Sequence, residues 1–479
     1  MSEQGAQTGG AGWRGEFSRD PQTERSLRHS IWDGVFYSGM VGAAETYFSA
    51  FAVFLKATTA QIGVLASLPP LLASFTQLLS AWAGRRTNER KRIIVHGALM
   101  QAVSLLPLAL LPLAFPEHAA SLLIVASIAY FIGPNLGSPQ WGSLLGDLVP
   151  EARRGRFFAL RTRLSSFATF ATLLGAGVAL DVFDGRGLTY WGFVAIFGVS
   201  AGLRIVSAHH LHAMHDPPPV HAAALESPWH RELWSGLRET GLLKFSAFNA
   251  CMQLAVAIAS PFFTPYLLRD LHFSYVQFTL NGAAGVCIQF LTLNRWGRLS
   301  DLFGNRIILF TTGSLIPLLP LTWLVSTSAW YLIAVQVLTG LIWAGFSLSA
   351  SNTVFDLTPP RYRTTLMAFH NVLAAAAVFI GASIGGYLGT RLPSEVVLQG
   401  RTFAWLTPLY GVFAISAAAR LVVAIGFLPR LTETRKVRRM SASGLIFRVT
   451  RLHPISGLIF EIVGRLRRSD DERDDDGRA

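Results

Sequence analysis

Charge is scarce in this chain. Asp, Glu, Lys and Arg make up only 14% of its 479 residues, while 51% are hydrophobic. Soluble domains carry about 25% charged residues, so this much apolar surface does not fit an ordinary water-soluble core. Cysteine is scarcer still. Cys251 and Cys287 are the only two, both within apolar runs, which excludes a disulfide framework and a cysteine-based metal site. The first 30 residues hold no apolar run, so no cleavable signal peptide is expected and the first apolar run should serve as an uncleaved anchor. No nucleophile–base constellation, phosphate-binding loop or zinc motif is visible. The chain is expected to be no enzyme and to need neither cofactor nor metal.

What the chain does have is long apolar runs. A helix crossing a bilayer needs about 20 such residues, and in hydrocarbon every backbone polar group must pair within the chain. The runs are too long and too evenly apolar for the alternating strands of a barrel. The expected class is an all-α membrane protein with spans near 31–55, 60–83, 93–114, 119–141, 162–183, 189–208, 243–268, 273–294, 306–326, 329–352, 365–390 and 403–428. Between these spans, 34 Lys and Arg residues fall on one side and five on the other. That bias predicts both termini in the cytoplasm. The net charge of +13 is then mostly topology, and no nucleic acid is needed to explain it. Arginine outnumbers lysine 37 to 4, the usage of a GC-rich bacterial genome, so the expected location is a bacterial inner membrane.

The chain repeats itself. "GDLVPEARRGRFFALRT" after the fourth run matches "FDLTPPRYRTTLMAFHN" after the tenth at an offset of 209, pairing Asp147 with Asp356, Pro150 with Pro359 and Arg154 with Arg363. Trp82 and Trp296 match at an offset of 214. The expected organisation is a cytoplasmic segment (1–30), a six-helix bundle (31–208), a cytoplasmic loop (209–242), a second six-helix bundle (243–428) and a basic tail with an acidic end (429–479). Two similar halves of six spans are the layout of a transporter built from repeats.

This layout, together with "GRLSDLFGNR" after the eighth run, resembles the major facilitator superfamily over about residues 25–430. Gly297, Leu299, Asp301, Gly304 and Arg306 stand at the positions of that family's loop motif. The resemblance implies two pseudo-symmetric bundles and a loop that acts as a conformational latch. The glycines suit a tight turn, and the carboxylate suits an arginine partner, for which Arg363 is the candidate. The first-half loop, "AWAGRRTNERKR", has Thr87 and Arg90 where the motif has its carboxylate and second glycine, so a latch is expected mainly in the second half. The antiporter motif of the fifth span is missing. The helix 11 stretch "GASIGGYLG" suits close helix packing.

Glu45 is the most informative residue. A carboxylate deep in a span is costly, by about 2.5–3.5 kcal/mol on insertion scales for Asp, and intramembrane ionisable groups are functional by default. Gly34, Ser38, Gly42, Glu45 and Ser49 fall within an arc of about 80° at helical spacing, a small polar face suited to neighbouring helices or a water-filled cavity. Glu45 is therefore the candidate for proton coupling or substrate contact, with a structural carboxylate as the alternative. Asn135, Asn249, Gln253, Asn281 and Gln336 are candidates for a polar central cavity, each equally able to bond a neighbouring helix. Asp33 is expected to cap the first helix, Arg420 to snorkel to the surface, and Pro134 and Pro139 to break the fourth helix.

Six loop histidines, His209, His210, His212, His215, His221 and His230, read as a solvated linker, with no carboxylate or cysteine spacing for metal. Residues 443–468, with "SGLIF" occurring twice, suit a basic amphipathic helix on anionic lipid. The functional expectation is a secondary transporter moving a small solute, with protons as possible partners. Its rival is a non-transporting scaffold or sensor that reuses the same architecture.

Overall fold

The computed structural model describes residues 17–433, apart from 19, 88, 151–152, 218–228, 360–362, 394, 399–400 and 405. The amphipathic tail and His221 lie outside the described residues, as do the side chains of His230 and Arg363. Six long helices form the first half: α1 (Pro21–Phe54), α2 (Thr59–Thr87), α3 (Arg90–Ala114), α4 (Ala119–Leu148), α5 (Arg154–Asp184) and α6 (Thr189–Ala213). A short helix, α7 (Trp229–Glu239), lies between the halves and packs on α14 (Arg363–Arg391). The seventh span joins α8 (Leu242–Ala257) to α9 (Phe263–Pro265), and the eighth is α10 (Tyr275–Phe303). The ninth joins α11 (Asn305–Leu315) to α12 (Leu319–Thr322); α13 (Ala329–Leu357), α14 (Arg363–Arg391) and α15 (Leu409–Phe427) complete the twelve.

Several boundaries move. The first helix begins at Pro21, well before residue 31, because Asp20 accepts from the Gln22 and Thr23 amides and proline stands at the start. Proline at that position lacks only an amide that would be unpaired anyway. The loop expected over 209–242 is helical at both ends, in α6 and α7. Residues 403–404 belong to a hairpin, β1 (Glu395–Leu398) paired antiparallel with β2 (Arg401–Ala404), so the last span starts at Leu409. Pro134 and Pro139 do not break α4, which runs through both. Here α4 is tied to α2, with Ser80 Oγ donating to the Leu136 carbonyl. The breaks fall in the seventh and ninth spans, at 3-10 turns containing Pro261 and Pro317.

Within the first half α1 packs on α5 and α6, α2 on α4, and α3 on α4 and α6; in the second, α8 packs on α14 and α15, and α10 on α13. Gly381 and Gly385 of "GASIGGYLG" lie directly on the Leu254 and Ile258 carbonyls, an approach that any larger side chain would block. The halves meet through α2 with α14 and α5 with α10. Tyr47 Oη bonds both the Leu173 carbonyl (2.8 Å) and Thr279 Oγ1 of α10 (2.8 Å). Gly386 lies against Ala60, and the Val276 amide bonds Asp181. These contacts lie toward the end opposite the termini, called here the far end; the other is the basic end.

Among the described residues, ten helices are long and apolar enough to cross a membrane. Missing from that set are α1, which carries Asp33 and Glu45, and the ninth span, whose break leaves only short pieces. Apolar side chains also face outward, as with Val125, Phe167, Val422 and Ile425, between 61% and 72% exposed. Water would not tolerate such a surface, and lipid does.

Candidate functional site

The deepest concentration of charge is in the basic-end part of the first half, where α1, α5 and α6 converge. Asp33 is buried there, so it is not the cap expected of it. The cap is Asp20, and Asp33 sits three turns inside α1. Its Oδ2 receives Arg161 Nη2 at 3.2 Å. Its Oδ1 receives Ser207 Oγ at 2.8 Å, and that hydroxyl receives Arg204 Nη1 at 2.6 Å. Arg204 itself lies 3.9 Å from the carboxylate. Each guanidinium covers an aromatic face, Arg161 on Trp141 at 4.5 Å and Arg204 on Tyr37 at 4.7 Å, an arrangement in which cation and ring attract. Asp33 is thus a second carboxylate within the spans, beside Glu45. One carboxylate between two arginines leaves the cluster with a net charge of +1.

The second half holds the same constellation without the ion pair. At an offset of 216, Asp33 becomes Asn249, Tyr37 becomes Gln253 and Arg204 becomes Arg420; at 209, Arg161 becomes His370. Asn249 Nδ2 lies 3.3 Å from His370 Nε2, and Ser246 Oγ lies 2.9 Å from His370 Nδ1. With the amide donating to Nε2, the ring proton sits on Nδ1 and donates to the serine. Arg420 does not snorkel. It is 3% exposed and bonds Ser416 Oγ (3.1 Å) and the Val256 and Ile316 carbonyls (both 3.4 Å). Those carbonyls flank the breaks in the seventh and ninth spans, where helix bonding is interrupted. Beside Asn249 and His370 a cavity of about 270 Å³ opens between α8, α13 and α14, also lined by Gln253, Ser347, Ser351 and Asn371.

Of the residues singled out from sequence, Asn249 and Gln253 line this cavity. Asn135 instead bonds Gln77 across α2 and α4 (2.6 Å). Asn281 is buried on α10, and Gln336 is half-buried on α13. The small face of α1 packs on α5, with Gly34 against Arg161 and Ser165 and Gly42 against Thr169. Glu45 turns instead to α4, where Tyr130 Oη donates to its Oε1 at 3.0 Å and lies 2.9 Å from Met40 Sδ. The sequence reading passed over Arg161, Arg204 and His370 as functional candidates. Carrying the 209-residue match to its last residues would have paired Arg161 with His370.

The Major Facilitator Superfamily model matches residues 245–462. That match lies in the second half of the chain, and it is to the family that the sequence already resembles. No curated protein matches it in sequence. Among solved structures it resembles a D-xylose-proton symporter (TM-score 0.64, 12% identity, covering 87% of this chain and 99% of that one). It also resembles the nucleoside transporter NupG (TM-score 0.62, 14%, 86% and 100%). A third is a bacterial homologue of the lysosomal transporter Spinster, inward-facing and unoccupied (TM-score 0.62, 14%, 86% and 97%). At such identities the likeness is one of fold. The chain is accordingly a multi-pass membrane protein with the fold of these structures.

The superfamily's loop motif lies between α10 and α11. Gly304 makes the turn with φ +86°, which L side chains rarely adopt. Gly297 packs loosely against Leu348, and Asp301 is exposed on α10. The proposed Asp301–Arg363 pair involves a side chain outside the described residues. Arg306 is held by the segment after α15: its amide donates to Glu433 Oε2 (2.8 Å) and its Nε to the Leu431 carbonyl (2.6 Å). Next to it, Asn305 bonds Asp356 (3.4 Å) and Asn352 (3.4 Å). The first half builds the same junction from charge. Arg90, opening α3, bonds Asp147 and Asp216 (both 2.6 Å) and Ser143 (3.1 Å). Asp147 and Ser143 are the repeat partners of Asp356 and Asn352. Each half thus ends in a strap laid against the start of its third helix.

Proposed function

We propose that this protein is a secondary transporter that carries a small solute across the membrane by alternating access, with both termini in the cytoplasm. One observation carries the reading. Two pseudo-symmetric halves are joined by contacts toward the far end, while the cavity and its repeat-related ion cluster lie toward the basic end. With the basic end in the cytoplasm, as the 34-to-5 distribution of Lys and Arg favours, this is an inward-open arrangement. Rocking the halves about a site near the midplane would expose it to the other side.

Glu45 is the proposed proton-coupling residue. It sits in α1 on a tyrosine of α4, with no cation among its described partners, so loading and releasing a proton changes the local charge outright. Reconstitution into proteoliposomes tests both parts of the reading. A transported solute should be found, and its uptake or efflux should respond to a pH gradient. Glu45→Gln keeps the shape and removes the titration, so it should abolish gradient-driven transport while binding partly survives. Full gradient-driven transport by the Gln variant would refute the coupling role.

A further inference from the structure

The repeat places Trp141 of the first half at Ala350 of the second, at the offset of 209. In the first half that indole fills the space beside Arg161. In the second, alanine leaves it empty, and Ala350 lines the cavity of about 270 Å³. We propose that this cavity is a binding site for an uncharged, hydroxyl-bearing solute about the size of a sugar ring. The proposal deepens the transporter reading by naming the class of its solute.

Three observations carry it. The first is charge. No Asp, Glu, Lys or Arg is among the described lining residues, and His370 is occupied on both ring nitrogens by neutral partners. A carboxylate or ammonium would enter without a counter-charge, at a cost that burial makes large. The second is hydrogen-bonding capacity. Gln253, Ser347, Ser351 and Asn371 line the space, and none spends its side chain on another described residue. Amides and hydroxyls each both donate and accept, as does a solute hydroxyl. Trp343 adds an aromatic wall, suited to the apolar face of a ring. The third is size. At about 270 Å³ the cavity has room for a small solute. It lies below the roughly 300–1,000 Å³ of pockets for drug-sized ligands.

The test is binding by the purified full-length protein in detergent, read as a rise in melting temperature and as a dissociation constant. The probes are pentoses, hexoses, polyols and ribonucleosides, each beside a carboxylate or amine of the same carbon count. At least one uncharged probe should bind, with its charged counterparts at least about tenfold weaker. Ala350→Trp, which copies the first half, should abolish binding. Gln253→Ala should weaken it by up to about tenfold, the worth of one hydrogen bond, and keeps the test open if the tryptophan variant does not fold. The proposal is overturned if charged probes bind as well as uncharged ones or if no uncharged probe binds. Unchanged binding by a folded Ala350→Trp or by Gln253→Ala also overturns it. Binding in detergent without transport in vesicles would sink the transporter reading and leave this site standing.

Discussion

Arg420 stands in the second half where Arg204 stands in the first, yet the two guanidiniums answer to different partners. Arg204 reaches a carboxylate through Ser207. Among the described residues Arg420 reaches a hydroxyl and two backbone carbonyls. The repeat has kept the cation and exchanged its anion for backbone carbonyls beside the breaks in two helices.

This predicts an order of stabilities in the first-half cluster. Asp33→Asn leaves two buried guanidiniums without an anion, and breaking a buried pair in this way costs about 3–5 kcal/mol. Arg204→Met leaves Asp33 with Arg161 and brings the net charge to zero, so it should cost less, about 1 kcal/mol. Melting temperatures should fall in the order wild type, Arg204→Met, Asp33→Asn. The reverse order of the two variants would show that Arg204, not Asp33, anchors the cluster.

The strap at Arg90 should be energetically coupled to its carboxylates. Arg90 and Asp147 are both largely buried at 2.6 Å. A double-mutant cycle with Arg90→Met and Asp147→Asn is expected to give a coupling of about 1–3 kcal/mol. Additive effects would mean that the pair contributes nothing beyond its separate side chains.

The spans were legible because hydrophobic run length is a direct reading of bilayer thickness. Their ends were not, because α1, α2, α4, α5 and α10 continue past the apolar run into polar residues that still favour helix. The Asp20–Pro21 start was written in the sequence, and missing it made Asp33 look like a cap. Glu45 was visible as a costly carboxylate, though its partner Tyr130, 85 residues away, was not. Half of the cavity was hidden for a different reason. His370 looks ordinary until the repeat sets it opposite Arg161, and Ala350 matters only because its counterpart is Trp141.

Acid should loosen the contact between α1 and α6. His29, just before the first apolar run, places its Nδ1 2.9 Å from His210 Nδ1. Burial, with His209 and Arg25 nearby, holds the His29 imidazole below its usual value of 6.5. The folded state therefore favours the neutral ring. Its contribution is complete above that value and is lost as pH falls below it. Melting temperature should drop between pH 7 and 5 (roughly the range about the usual histidine value), and His29→Asn should flatten the slope. An unchanged slope in the variant would remove His29 from the account.

Topology gives a separate check. With Cys251 and Cys287 replaced by serine, a cysteine placed in 115–118 should react with an impermeant reagent from outside the cell, and one in 210–240 should not. The opposite pattern would invert the orientation and, with it, the inward-open reading.

Alternating access is tested most directly by distances between the halves. Lys56 and Arg391 are exposed at the far end, and Arg163 and Arg298 are exposed toward the basic end. Spin labels at each pair, in liposomes, should give a second population when a bound solute is supplied, with 56–391 longer and 163–298 shorter. A single unchanged distance at both ends, with solute bound and with a pH gradient applied, would contradict a transporter that rocks between two faces.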